Sequence, residues 1–301
     1  MRRSILTFVI TALLAGPLLG QAKKPPKPAD STTRAATQPK ADYWVANMKK
    51  VHARFKGDKG TFAHFGDSIT ISMAFWAGMK WSQKGMDPKT QAAFNRVKGY
   101  MKDDCWTKWK GSRFGNTGMM TIRWAHKNVD TWLKTLKPEV ALIMFGTNDL
   151  GPLKVDEYET KTREVVKKCL ANGTIVILQT IPPRHARSQD KVKRFVKAQR
   201  KVAHELKVPL SDYYQAIIDR RPDDWSGRHP KFKEVPGGTY DVPTLISRDG
   251  VHPSNPGKFR DYSAESLKNN GFLLRNWVTL MSYDEVLQKV LKPTPATKPA
   301  K

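Results

Sequence analysis

The decapeptide Thr-Phe-Ala-His-Phe-Gly-Asp-Ser-Ile-Thr, residues 61–70, begins as an apolar strand and stops at Gly66, followed at once by an acid and a hydroxyl. Gly, Asp and Ser are ordinary turn residues, so a turn without chemistry is one interpretation. The other is a nucleophile, Ser68, presented at the rim of a sheet. Choosing between them requires a base, an acid that orients the base, and oxyanion donors elsewhere in the chain.

Apolar runs alternate with helical patterns along the rest of the sequence. The predicted strands are Thr61–Phe65, Val140–Phe145, Thr174–Thr180 and Val208–Leu210, with a further strand before Asn116; the predicted helices are Val129–Leu136, Tyr158–Ala171 and Lys191–Leu206. Near-continuous apolar strands that alternate with helices indicate a parallel sheet covered on both faces. The pattern therefore predicts an α/β domain with three layers, α/β/α, of the flavodoxin-like type.

Small and polar residues follow three of the predicted strands, where the ligands of such sheets bind, and a fourth such stretch comes later in the chain. The stretches are Gly66-Asp67-Ser68, Gly115-Asn116-Thr117-Gly118, Gly146-Thr147-Asn148-Asp149 and Asp249-Gly250-Val251-His252-Pro253. Because the carboxyl ends of parallel strands meet at one edge of a sheet, we expect these stretches to form a single site.

In this order, the four stretches resemble the GDSL or SGNH hydrolase family, named for Ser, Gly, Asn and His in separate sequence blocks. FGDSIT is similar to the nucleophile block, NTG to the glycine block, GTND to the asparagine block and DGVHP to the Asp-x-x-His block. The resemblance spans residues 61 to about 265. It implies a serine esterase or lipase-like hydrolase that needs no metal or organic cofactor.

The resemblance implies Ser68 as nucleophile, His252 as general base and acid, and Asp249 as the carboxylate that orients His252. The chemistry agrees, because a serine hydroxyl reacts only when a base held in one tautomer takes its proton. For the oxyanion hole the resemblance implies the backbone N–H of Ser68, the backbone N–H of Gly118 and the side-chain amide of Asn148.

Plainer interpretations of the same residues stay open. Asp249 could cap a helix or form an Asp-Gly turn, and Asn148 could be a turn residue after a strand. Asp67 and Asp149 are interpreted as structural caps rather than catalytic acids.

Two insertions depart from the compact family pattern. About fifty residues separate Ser68 from Gly118, and the second insertion runs from Asp219 to Ser247. The tryptophans in these insertions are Trp76, Trp81, Trp106, Trp109 and Trp225. They either close the core around long loops or line a basic, aromatic cleft at the site.

The ends of the chain differ in composition from its centre. Residues 1–22 read as a signal peptide, with an uncleaved membrane anchor as the competing interpretation. Residues 23–41 and 292–301 are rich in Lys and Pro and are predicted to be disordered. This leaves one hydrolase domain at 42–291, with no stable membrane span after signal removal, in a protein that is periplasmic or secreted.

The chain carries a formal charge of +26, from 53 Lys and Arg against 27 Asp and Glu. Such a surface attracts polyanions, so an anionic polysaccharide or envelope surface is a candidate partner and nucleic acid an unlikely one. Solubility alone is the alternative explanation. Cys105 and Cys169 could pair in an exported protein or remain two separate thiols.

These observations predict an exported serine esterase acting on an acyl ester, best described as an acetylated carbohydrate. Lysophospholipid or another small ester is the alternative substrate. The rival class is a non-catalytic module that uses the same fold to hold an anionic polymer.

Overall fold

Four parallel strands form the centre of the computed structural model, which describes residues 42–108, 117–185 and 188–291. They are β1 (Asp58–Gly66), β2 (Pro138–Met144), β3 (Ile175–Gln179) and β4 (Leu210–Ser211), paired in that order. The predicted signal peptide, the linker, the C-terminal tail and the strand expected before Asn116 lie outside the described residues.

Helices cover the sheet. The α-helices are α1 (Val45–His52), α2 (Ser68–Ile71), α3 (Pro88–Tyr100), α4 (Ile122–Leu136), α5 (Val155–Ala171), α6 (Gln189–Glu205), α7 (Tyr213–Arg220), α8 (Ser266–Asn269) and α9 (Gly271–Val286). Shorter helical turns span Ala77–Lys80, Asp103–Trp106, Pro230–Phe232 and Leu287–Leu291. Every residue of β2 and β3 is buried, because these Val- and Ile-rich runs are covered on both faces. The predicted three-layer α/β class is confirmed.

The bounds of the elements differ from the predicted ones by up to seven residues, and two of these differences have a local cause. Helix α4 begins at Ile122 rather than Val129, because the Thr121 side chain caps it by accepting from the backbone N–H of Trp124. The fourth strand begins at Leu210 rather than Val208. The N–H of Val208 donates to the carbonyl of Ala203 and so closes the end of α6 instead of joining the sheet.

A sharp turn joins β1 to α2 and carries Ser68 at the first position of that short helix. A Cβ at Gly66 would lie 2.2 Å from the Thr70 hydroxyl and 2.6 Å from the Met144 carbonyl, so only glycine fits. The Asp67 side chain caps α2 by accepting from the N–H of Ile69. The turn therefore fixes the direction in which the helix leaves the sheet.

The first insertion contributes to the core. Trp76 and Trp106 are buried and stack with ring centroids 4.9 Å apart, whereas Trp81 is 66% exposed. Trp109 lies outside the described residues. In the second insertion, Trp225 packs against a smaller apolar cluster that contains Leu245. The core interpretation therefore holds for Trp76 and Trp106.

Both cysteines are buried and unpaired. Burial raises the pKa of the Cys105 thiol to about 12, so this side chain behaves as a small apolar group. Within the described ranges, no helix combines the length and the apolar character that crossing a membrane requires.

Tryptophans of the first insertion provide a test of how far it stabilises the domain. We expect Trp106→Ala to lower the free energy of unfolding by about 3–5 kcal/mol, because it empties a large volume in the core. Trp81→Ala makes the same chemical change at an exposed position and should change the free energy of unfolding by no more than about 0.5 kcal/mol. Urea unfolding measures both, and equal losses would contradict this division of the insertion.

Candidate active site

The β1–α2 turn brings Ser68 to a histidine that is 184 positions away in sequence. The Ser68 Oγ lies 2.9 Å from the His252 Nε2, and the His252 Nδ1 lies 2.7 Å from the Asp249 Oδ2. Both His252 and Asp249 side chains are about one quarter exposed, so the chain of three polar groups opens to solvent. The structure thus brings the three residues predicted for the triad into one hydrogen-bonded line.

Asp249 is held by its own turn. Its Oδ1 accepts from the backbone N–H groups of Val251 (2.7 Å) and His252 (2.9 Å) and from the Ser247 hydroxyl (2.7 Å). Burial raises the pKa of Asp249, but these bonds and the contact with the His252 ring outweigh it and leave the pKa well below its ordinary value. An ionised Asp249 can only accept, so Nδ1 carries a proton and neutral His252 turns the Nε2 lone pair toward Ser68.

The groups predicted for the oxyanion hole meet at a single oxygen atom. The carbonyl of Gly118 accepts from the Ser68 N–H at 2.7 Å and from the Asn148 side-chain amide at 3.3 Å. The same amide also donates to the Met120 carbonyl at 3.1 Å. In this conformation Gly118 therefore faces the other two groups with its C=O, and its predicted role as an N–H donor stays a prediction.

Position 118 requires glycine in this conformation. Its φ is +95°, a region that other residues rarely adopt. An added Cβ would lie 3.0 Å from the Ile71 Cδ1 and 3.4 Å from the Ser68 Cβ. The backbone at Gly118 is consequently packed directly against the helix that carries Ser68.

Asp67 and Asp149 are both buried beneath this site. Asp67 caps α2, and the Asp149 carboxylate accepts from the N–H of Ile122 with both oxygens, at 2.9 and 3.2 Å. Burial raises the pKa of Asp67 to about 6. It raises that of Asp149 to about 7, where the charge of Asp67 adds to the effect. These contacts are those of the structural caps that the sequence suggested.

A buried arginine beneath Ser68 escaped the sequence interpretation. Arg275 of α9 is fully buried and donates to the Ile69 carbonyl (2.8 Å), the Thr70 hydroxyl (2.9 Å) and the Gln179 side chain (2.8 Å). Its guanidinium also lies over the ring of Phe75, 3.8 Å from the centroid. The available signal was one arginine within the apolar run of α9, but nothing local indicated which element it would contact.

Two further basic side chains donate hydrogen bonds to backbone carbonyls in the loops of the site. The guanidinium of Arg184 donates to the Thr147 carbonyl, beside Asn148. The guanidinium of Arg228 donates to the carbonyls of Arg248 (2.7 Å) and Asp249 (2.8 Å). Both arginines support backbone next to predicted site residues. No three potential ligands from His, Cys, Asp and Glu cluster around a metal position in the described part of the chain.

Residues 64–258 match the family described as GDSL-like Lipase/Acylhydrolase, and the chain belongs to that family. Membership places it among the serine hydrolases that act on ester bonds. The match includes every residue predicted for the triad and the oxyanion hole, from Ser68 to His252, whereas Arg275 lies beyond it.

Solved structures similar to this chain include three esterases or acylhydrolases. The psychrotrophic esterase EstA from Pseudoalteromonas sp. is 17% identical over 76% of this chain and 99% of its own, with a TM-score of 0.45. A lipase/acylhydrolase from Enterococcus faecalis is 19% identical over 80% and 98%, with a TM-score of 0.45. The acetyl xylan esterase AlAXEase is 20% identical over 64% and 91%, with a TM-score of 0.41. A search of curated proteins found no significant match.

The buried Asp149 predicts a specific pH dependence of stability. Its folded pKa of about 7 exceeds the ordinary value of 3.8, so between these values the folded state holds a proton that the unfolded state has released. Stability therefore falls as pH rises through this window. Asp149→Asn keeps an acceptor for Ile122 but cannot ionise. Relative to wild type, its free energy of unfolding should therefore rise by about 4 kcal/mol between pH 4 and pH 8.

Urea unfolding at the two pH values measures this gain. Asp130→Asn is the matched control, because Asp130 is 66% exposed and pairs only with Lys168 among the described residues. If Asp149→Asn and wild type respond identically to pH, the ionisation of Asp149 does not govern stability.

Proposed function

We propose that this protein is an exported serine esterase that removes an acyl group, in particular acetyl, from a carbohydrate. The observation that carries the proposal is the line of contacts from Ser68 Oγ to His252 Nε2 (2.9 Å) and from His252 Nδ1 to Asp249 (2.7 Å). Nothing else in the described site is arranged to activate a hydroxyl. Export is supported by the basic start and the apolar run within residues 1–22.

The first half-reaction transfers the acyl group to the enzyme. His252 Nε2 takes the proton of Ser68 as Oγ attacks the ester carbonyl carbon, and the carbonyl oxygen becomes an oxyanion. When the tetrahedral intermediate collapses, the bond from carbon to the alcohol oxygen breaks. His252 gives its proton to that oxygen, so the free alcohol leaves and the acyl group remains on Ser68.

The second half-reaction returns the enzyme to its starting state. A water molecule loses a proton to His252 and attacks the acyl carbon, and a second tetrahedral intermediate forms. Its collapse breaks the bond to Ser68 Oγ, which recovers the proton from His252, and the carboxylic acid is released. Asp249 stays ionised throughout and stabilises the imidazolium that forms in each half-reaction.

The donors that an oxyanion would need are occupied in this conformation by the carbonyl oxygen of Gly118. The Ser68 N–H and the Asn148 amide now point at the carbonyl oxygen of Gly118, and that oxygen would repel an oxyanion at the same position. We therefore propose that the Gly118 peptide turns when substrate binds, so that its C=O leaves and the hole becomes available. Glycine suits this role because it tolerates backbone conformations that other residues do not.

The proposed rotation predicts the structure of a phosphonate adduct on Ser68. We expect a crystal structure of the adduct to place a phosphoryl oxygen within hydrogen-bond distance of the Ser68 N–H and the Asn148 amide. The Gly118 carbonyl should have moved away from the Ser68 N–H. In the present conformation the Gly118 oxygen lies 2.7 Å from the Ser68 nitrogen. An adduct that retains this hydrogen bond would show that Gly118 does not rotate and that the oxyanion lies elsewhere.

The substrate class rests on the surroundings of the site. Basic residues exceed acidic ones by 26 in the whole chain, which would favour glycans that carry negative charge. The second insertion also places the half-exposed ring of Tyr240 beside His252. A lipid ester is the second candidate, because Met73 and Met119, which follow α2 and Gly118 in sequence, are 57% and 84% exposed.

Release of the carboxylic acid from a panel of esters tests the proposed function. The panel contains acetylated neutral and anionic oligosaccharides, ethyl acetate and a lysophospholipid, each assayed with wild type and Ser68→Ala. We expect the acetylated oligosaccharides to give the highest kcat/KM, and Ser68→Ala to lose at least about 10⁴-fold, because no nucleophile remains. Fatty acid release from the lysophospholipid at a higher kcat/KM would favour the second candidate. Hydrolysis of no ester by a folded wild-type protein would favour a binding module.

A further inference from the structure

The loop Val235–Tyr240, within the second insertion, is fastened to the turn that carries His252. The side chain of Arg248 donates to the carbonyls of Gly237 (3.1 Å) and Gly238 (2.6 Å), and also to that of Val235. Arg248 thus donates to three carbonyl groups of the loop. Because it immediately precedes Asp249 in the chain, it connects the loop to the turn that carries His252.

Backbone contacts fix both sides of Tyr240 as well. The N–H of Arg248 donates to the Thr239 carbonyl at 3.0 Å, and the N–H of Asn255 donates to the Tyr240 carbonyl at 2.8 Å. Residues 248 and 255 flank the Asp249–His252 turn, so the end of the loop bridges that turn. The position of Tyr240 relative to His252 is therefore set by backbone hydrogen bonds on both sides.

The ring of Tyr240 forms a wall beside His252. The two ring centroids are 6.1 Å apart with an interplanar angle of 67°, and Tyr240 keeps 44% of its surface exposed. Most other large aromatic residues of the described chain are buried or partly buried; Trp81 is the other strongly exposed one. An aromatic surface left open at this point is available to a bound molecule.

The chemistry of ester cleavage identifies which part of the substrate meets this wall. His252 Nε2 must reach the oxygen of the leaving alcohol to protonate it, whereas the acyl oxygen lies toward the Ser68 N–H and Asn148. A side chain packed beside His252 therefore faces the alcohol. Met119, next to Gly118, is on the acyl-oxygen side of the site in the same scheme.

We infer that Tyr240 forms a subsite for the sugar ring whose hydroxyl carries the acyl group. The inference rests on the proposed function and names the residue that recognises the alcohol. A tyrosine ring offers an apolar face to the C–H groups of a pyranose, and its hydroxyl can bond to a neighbouring sugar hydroxyl. Arg228 donates to the carbonyls of Arg248 and Asp249 and so supports the turn.

The kinetic test compares two alcohols that carry the same acetyl group. An acetylated xylo-oligosaccharide has a sugar ring at the position that we assign to Tyr240, and ethyl acetate has none. We expect Tyr240→Ala to lower the ratio of kcat/KM for the oligosaccharide to kcat/KM for ethyl acetate by about tenfold, the scale of one aromatic contact. Most of the change should appear in KM. Tyr240→Phe should restore most of the ratio, and Trp81→Ala, which removes the other strongly exposed aromatic ring, should not alter it.

The same measurements can overturn the inference. If Tyr240→Ala lowers kcat/KM equally for both esters, Tyr240 only positions His252. If it lowers neither, the ring contacts no part of the substrate.

Binding of a non-acetylated xylo-oligosaccharide separates this inference from the proposed function. In saturation-transfer NMR with Ser68→Ala, we expect the sugar to receive magnetisation, and the signal to fall severalfold when Tyr240→Ala is added. Binding through Tyr240 without deacetylation by wild type would reject the proposed substrate and keep the sugar subsite. A signal that is absent, or that Tyr240→Ala does not change, would overturn the subsite whichever ester the enzyme hydrolyses.

Discussion

The active site depends on a buried positive charge that fastens the nucleophile turn from below. Burial lowers the pKa of Arg275 to about 10, which still leaves the guanidinium ionised at neutral pH. Among the described residues no carboxylate lies within ion-pair distance of it, so hydrogen bonds and the ring of Phe75 compensate for its lost hydration. Through Ile69, Thr70 and Gln179 it joins α9 to both α2 and β3. Arg275 therefore helps to hold the turn that presents Ser68.

The pKa values of three carboxyl groups at this site shift in opposite directions because their environments differ. Asp249 is partly exposed and accepts four hydrogen bonds through its two oxygens, which keep it ionised. Asp67 and Asp149 are buried with fewer donors, so burial raises the pKa of both, and the charge of Asp67 raises that of Asp149 further. The site thus has a carboxylate that is ionised at neutral pH facing His252, whereas the two carboxyl groups beneath it function as caps.

The two insertions contribute to different parts of the molecule, the first to the core and the second to the rim of the site. The first places Trp76 and Trp106 in the core behind β1, so its aromatic residues stabilise the sheet that presents Ser68. The second lies over the Asp249–His252 turn, where Arg248 gathers the carbonyl groups of the loop that carries Tyr240. Long connections in a compact fold can therefore extend the interior or the rim, depending on whether their aromatic residues find apolar neighbours.

The sequence by itself determined the features that depend on local pattern. Apolar runs alternating with helices predicted the parallel sheet, and four short motifs indicated which segments would form the site. The resemblance implied that Asp249 orients His252, and their three-residue spacing lets both lie in one turn, where the structure shows them in contact. Only the tertiary structure decided how distant segments meet: the 184-residue separation of Ser68 and His252, the contact of Arg275 with α2, and the direction of the Gly118 carbonyl. These outcomes follow from packing between elements that are remote in sequence, and residue types at one position do not encode where such partners will lie.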